Sequence, residues 1–217
     1  AAILDAVSGN APGDPYVAPP PARPFREEVG APTGRLRVAF DAGSLFGHTI
    51  HPECAQAARD AARLLADLGH DVTEARPPFS REELVAAYLV VVAANTRAEL
   101  EWAARATGRT LRMSVLEPET AGLAAAGRHL SADAHAAAVS TLQRAAREVA
   151  SFFERHDLFV DATMAHPPAR IGAFRLRAWE RAEVFAVTRL PARKLVDLLM
   201  REVGSRAFEA TGNTMLF

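Results

Sequence analysis

The chain has 217 residues, 49% hydrophobic and 24% charged, enough to bury a core of its own and too apolar for a disordered segment. With 25 basic and 26 acidic side chains its formal net charge is −1, which leaves no electrostatic footprint for nucleic acid or an anionic membrane as partner. Apolar runs such as Leu84 to Ala94 fall short of the roughly 20 residues needed to cross a bilayer, and a single cysteine, Cys54, cannot form an internal disulfide, so a reducing cytoplasm is the expected compartment.

The first residues, Ala1 to Val7, form an apolar helical pattern with no methionine and no N-cap ahead of it, and read as cut from something longer. Ile3, Leu4 and Val7 are expected to face one core, and Ser8-Gly9-Asn10 supplies a stop. Five prolines between positions 15 and 24 lack backbone donors and have φ fixed. They predict an extended, polyproline-like strap, with Tyr16 and Phe25 as its anchors. The chain therefore divides by composition into 1–13, a strap at 14–34, and a body from 35 to 217.

Leu36 to Phe40 predicts a buried strand, Asp41 to Ile50 a glycine-containing loop, and Pro52 a helix start. That helix is expected to bury Ala57, Ala61, Leu64, Leu65 and Leu68 and to end at Gly69, before a strand over 71–75. Strand, helix and strand with short joints make a βαβ unit with parallel strands. Ser80 and Glu83 have capping-box spacing and open a long helix running to Gly108, with Trp102 as its last large core residue. A short helix is predicted from Pro118 to Gly127. Ser131 caps a longer one whose seam is Val139, Leu142, Ala146, Val149 and Phe153. His156-Asp157 turns into a strand over 158–162, and a last amphipathic region runs from Trp179 to Val203. The fold class is α/β.

No self-contained catalytic set emerges from these residues. His48-x-x-His51-x-x-Cys54 has zinc-compatible donor types but no fourth ligand nearby, so a capping histidine and a small buried thiol are expected, with no metal and no cofactor. There is no G-x-S-x-G elbow, no P-loop and no dinucleotide fingerprint. Ser8 and Ser131 serve as helix punctuation. Glu82, Glu83, Asp133 and Glu148 lie on solvated faces.

The motif order nevertheless carries a resemblance. DPYVAPPPARPF followed by GRLRVAF resembles the middle of amidase-signature enzymes of the bacterial aryl-amide and cyclic-amide hydrolase kind. AAILDAVSG is similar to the helix after their signature region, and HPECAQAARDAARLLADLGHDVTEARPP to their HP-x-C helix and following strand. LSADAHAAAVSTLQRAAREVASFFERHDLFVDATMAHPPARIG is similar to their penultimate helix and the strand ending TPT-x-A-x-PP-x-x-G. The resemblance implies the C-terminal portion of the amidase-signature fold, a mixed β-sheet flanked by helices.

It also implies a serine nucleophile, a second serine and a lysine, which in the family's order all lie upstream of Ala1. Lys194 lies too far downstream for that lysine, so no residue here is assigned a catalytic role and the chain alone is expected to be silent. What the resemblance assigns to this part is sheet and one wall of the pocket for a small-molecule amide, with Asn95, Thr96 and Thr163 as candidate lining. Its expected partner is a missing N-terminal catalytic half. The alternative is a non-catalytic, degenerate amidase half or subunit acting as an interaction module, and a second copy of the chain, as a homodimer, is the other partner considered. Two departures bear on substrate preference: Asp161-Ala162-Thr163 stands where the family usually reads TPT, and Glu209-Ala210-Thr211-Gly212-Asn213-Thr214 where it tends to read N-x-TGQP.

Overall fold

The computed structural model describes residues 1–173 and 175–189. The chain falls into two compact units, Ala1–Leu36 and Arg37–Phe217.

The first unit is held by polar contacts. It contains α1 (Ala2–Val7) and α2 (Phe25–Glu28). Asp5 on α1 accepts from the backbone N–H groups of Phe25 and Arg26 at 2.6 and 3.1 Å, which caps the orphan donors at the start of α2. Across the strap, the side-chain amide of Asn10 donates to Ala18 O and its carbonyl accepts from Ala18 N. The expected apolar anchoring does not occur. Ile3, Leu4 and Val7 are 78%, 51% and 72% exposed, and Tyr16 is 90% exposed; only Phe25 is half-buried. Two helical turns and an extended strap enclose too little volume to hide a side chain.

The second unit is an α/β body, as the sequence predicts. Its sheet has the order β2-β1-β3, built from β1 (Arg37–Asp41), β2 (Asp71–Glu74) and β3 (Leu158–Asp161). Both pairings are parallel, so a sheet expected to be mixed is parallel among the described residues. Val38 and Ala39 are adjacent in sequence and both fully buried, which requires cover on both faces and marks β1 as the centre. Edge strand β2 keeps Asp71, Thr73 and Glu74 exposed, polar residues that blunt an unpaired edge.

At the amino edge, Arg37 and Asp157 exchange backbone and side-chain bonds. Arg37 N donates to Asp157 Oδ2 at 2.8 Å, Nη2 to Oδ1 at 2.7 Å, and Asp157 N donates back to Arg37 O. These bonds stabilise the ionised carboxylate and hold Asp157 down at about 2.

Helices α3 (Pro52–Asp67), α4 (Arg81–Thr107), α5 (Pro118–Gly127), α6 (Ala132–Phe153) and α7 (Ala178–Arg189) complete the body. Their start and stop signals behave as written in the sequence. Ser80 Oγ accepts from Glu83 N, Ser131 Oγ accepts from Ala134 N, and Gly108 closes α4 in the left-handed conformation with φ +65°.

The buried faces differ from the expected ones by a residue or two. On α3 the buried residues are Ala55, Ala58 and Ala62, while Leu64 and Leu68 are 59% and 66% exposed. An alanine-rich helix offers several apolar stripes, and the smallest lets the helix approach its neighbours most closely. On α6 the seam is Ala138, Leu142, Ala145, Val149 and Phe152, with Ala146 exposed and Phe153 half-buried. Trp102 is 67% exposed, because the covered stripe of α4 runs through Ala93, Arg97, Leu100 and Ala104 on another side.

The core cluster joins Leu45, Phe46, Leu84 and Ala145, with Phe79, Tyr88, Leu142 and Phe159 packed against it. Phe46 has no exposed surface and lies 5.7 Å from Phe79, ring centre to ring centre. A segment the sequence presents as loop thus fills the middle of the body. Ser44 makes this workable, since its Oγ accepts from Phe46 N at 3.1 Å and His48 N at 3.0 Å, satisfying donors no strand or helix would reach.

Candidate functional site

All three strands run the same way, so their carboxyl ends share one edge, the usual place for ligand-facing residues in parallel α/β sheets. β1 and β3 both end in aspartate there. Asp41 and Asp161 occupy the same register position on neighbouring strands, and parallel strands lie about 4.8 Å apart with same-register side chains on one face.

The two carboxylates have different surroundings. Asp41 is 4% exposed; its Oδ1 accepts from Gly43 N at 2.7 Å and Arg76 Nη2 at 3.3 Å, and its Oδ2 is ion-paired with Arg76 Nε. Asp161 has no such cation, and its buried Oδ2 accepts no hydrogen bond among the described residues. Burial, and then the Asp41 charge, push the Asp161 carboxyl up to about 6.

The loop from β1 to α3 and the segment after β3 meet at this edge. His51 N donates to Ala165 O at 2.8 Å, and the rings of His51 and His166 meet edge to face at 6.5 Å. His51 Nδ1 accepts from Glu53 N at 3.3 Å, the N-cap role the sequence assigns it. Cys54 is a free, half-buried thiol on the first turns of α3.

Among the expected pocket residues, Thr163 lies two positions beyond β3 and is exposed. Asn95 and Thr96 are consecutive on α4, Asn95 exposed and Thr96 half-buried, and so point about 100° apart around the helix. No hydrogen bond joins these three side chains to one another among the described residues, and Lys194 and residues 209–214 lie outside them. The Asp41–Arg76–Asp161 group was not singled out from sequence as a site. The available signal was an aspartate closing each of two apolar strands, one of them the first residue of the DAT departure.

The amidase family model matches residues 1–198. The chain belongs to the amidase family. Over 179 residues this amidase chain is 33% identical to a 6-aminohexanoate-cyclic-dimer hydrolase of a Pseudomonas strain, covering 81% of the chain and 36% of that relative. The same enzyme name from Paenarthrobacter ureafaciens matches at 32%, again over 81% and 36%. A solved structure of a 6-aminohexanoate cyclic dimer hydrolase complexed with substrate superposes with a TM-score of 0.76 at 28% identity, covering 96% of this chain and 43% of that one. The amidase chain therefore spans little more than a third of the length of the curated relatives it matches. Among the described residues no helix is long and apolar enough to cross a membrane, and no three His, Cys, Asp or Glu side chains stand together as a metal site.

Proposed function

We propose that this chain is the C-terminal part of an amidase that hydrolyses linear or cyclic carboxamides in the cytoplasm, water and amide giving a carboxylic acid and an amine. The observation that carries the reading is the coverage: 81% of the chain aligns with 36% of two cyclic-dimer hydrolases. In this reading the serine nucleophile, its companion serine and the lysine belong to an N-terminal half. The present residues supply a parallel sheet and a pocket wall. Asn95, Thr96 and Thr163 line that wall, which suits their polar, surface-reaching side chains on α4 and beyond β3.

The test is a comparison of the 217-residue chain with a longer protein carrying the upstream half, using 6-aminohexanoate cyclic dimer and simple aryl amides as substrates and a fluorophosphonate as serine label. Turnover and labelling are expected only in the longer protein. Hydrolysis by the short chain would refute the division of labour, and an inert longer protein would refute the activity. In the active protein, Asn95→Ala and Thr163→Val are expected to raise KM more than they lower kcat, as loss of ground-state contacts does.

A second reading, a non-catalytic amidase half acting as an interaction module or homodimer, draws on the apolar surface. Leu64, Leu68, Trp102, Val115 and Ile171 are all more than half exposed, and a partner chain would cover such side chains wherever they adjoin. Light scattering separates the readings: a monodisperse, dye-silent monomer of the short chain removes support from the module.

A further inference from the structure

At the carboxyl edge of the sheet Asp41 and Asp161 stand in register beside the Arg76 guanidinium, while Glu74 ends β2 exposed. Asp41 uses that guanidinium fully, through an ion pair at Oδ2 and a hydrogen bond at Oδ1, and takes Gly43 N as a further donor. Asp161, opposite it in register, keeps a buried Oδ2 with no donor among the described residues. Asp161 is half-buried with one sheltered oxygen, and a carboxylate so placed, facing another carboxylate with no cation of its own among the described residues, is costly to keep ionised. A proton removes the cost, because a neutral carboxyl becomes a donor and the opposing aspartate, in register on the next strand, can accept from it.

We propose that Asp161 carries a proton in the folded chain and shares it with Asp41, and that this carboxyl–carboxylate contact is a proton-operated latch between the β1–α3 loop and the segment following β3. The charged and titratable groups around the latch among the described residues are Asp41 on β1, Arg76 after β2, Glu74 at the exposed end of β2, and, further along the two latched segments, His51 and His166. Arg76 is already engaged by Asp41; His51 spends Nδ1 on the α3 cap, and His166 is exposed. The upward displacement of the Asp161 carboxyl agrees with this geometry, with burial as its larger cause and Asp41 as its second.

Release of the proton leaves two negative charges and one guanidinium. Asp161 must then turn toward solvent or compete for Arg76. Either movement pulls on Asp41, whose Oδ1 pins Gly43 at the root of the loop that carries Leu45 and Phe46 into the core. It also pulls on residues 162–165, which include Thr163 and the Ala165 carbonyl that receives His51 N. The latch therefore makes this edge tight in acid and looser as pH rises. It rests on the sheet and its register and stands whether or not the chain serves an amide hydrolase.

The test is an infrared titration of the full chain with isotope-labelled aspartate carboxyls, followed in parallel by urea midpoints across the same pH range. A protonated-carboxyl band is expected to disappear between about pH 5 and 7, to be absent in Asp161→Asn, and to shift toward acid in Asp41→Asn, where the facing charge is gone. The wild-type urea midpoint is expected to fall from about pH 4 to about pH 6, between the unfolded and folded values of the carboxyl, and this fall is expected to be absent in Asp161→Asn. The absence of any aspartate titrating in the window of that band in the wild type would overturn the proposal, and that measurement requires no variant to fold. A band that persists in Asp161→Asn, or does not move in Asp41→Asn, would overturn it equally.

Discussion

The approach of α5 to α4 predicts the sign of two glycine substitutions. Gly127 ends α5 against α4, and a Cβ placed on it would lie 2.1 Å from Ala93 O, 2.8 Å from Ala93 C and 2.9 Å from Arg97 Cβ. Ala93 is fully buried, and two of those three atoms are backbone. No side-chain rotation relieves the clash, so α5 must move off α4, away from the contacts of Ala121, Ala124 and Ala126, all 5% exposed or less. Gly127 is not in a positive-φ conformation, so alanine would gain about 0.5–1 kcal/mol from reduced unfolded-state freedom and better helix propensity. Overpacking against rigid atoms costs about 1–3 kcal/mol or more.

The clash is short enough to place the cost at the upper end, giving a net loss of about 2 kcal/mol for Gly127→Ala. At roughly 2–4 °C per kcal/mol for a chain of this size, the melting temperature should fall by about 4–8 °C. Gly122 provides the control on the same helix. Its added Cβ would meet only Val184 Cγ1, at an ordinary 3.5 Å, so Gly122→Ala should be neutral or stabilising by up to about 1 kcal/mol. Urea denaturation of both variants checks the pair, with a shifted midpoint and unchanged slope as the expected signature. If Gly127→Ala matches or exceeds wild type in stability, the close α4–α5 approach is wrong.

Two further outcomes follow from the fold. Phe46→Ala empties the middle of the core and is expected to cost about 3–5 kcal/mol; a loss below about 1 kcal/mol by urea midpoint would show that the loop does not fill the core. Asp157, held down at about 2 by Arg37, adds stability that is present above its unfolded value of 3.8 and lost as pH falls through about 2. Arg37→Ala should move its carboxyl titration upward by NMR, and an unmoved titration would contradict the bonded geometry. Asp161 runs the other way. Its folded value of about 6 lies above 3.8, so stability is fullest in acid and declines as pH rises through 6.

Local signals and tertiary choices separate clearly along this chain. The helix starts at Pro52, Ser80, Pro118 and Ser131 and the stops at Gly69 and Gly108 depend on bonds within a few residues, so the sequence marks them. The same holds for β1 and β3, whose short apolar runs end in aspartate, and for the parallel βαβ joint. The motif order points to the amidase family for a related reason, since it records many local signals in a fixed succession.

The buried faces were decided elsewhere. Helix periodicity on α3 and α6 offers adjacent stripes of similar apolarity. The choice of Ala55-Ala58-Ala62 over Leu64 and Leu68 depends on what the neighbouring elements present. Phe46 reads as loop because it sits among Gly43, Ser44 and Gly47, and only the space between the sheet, α4 and α6 makes it core. The site shows the same division. Thr163 is legible as the residue after a strand, while Asp41 reads as the start of a loop and Asp161 as a residue inside the last strand; only the structure ends β1 and β3 on these two aspartates, 120 positions apart. Parallel pairing of β1 with β3 brings them into one register, and burial, with no second cation beside Asp161 among the described residues, pushes its carboxyl up.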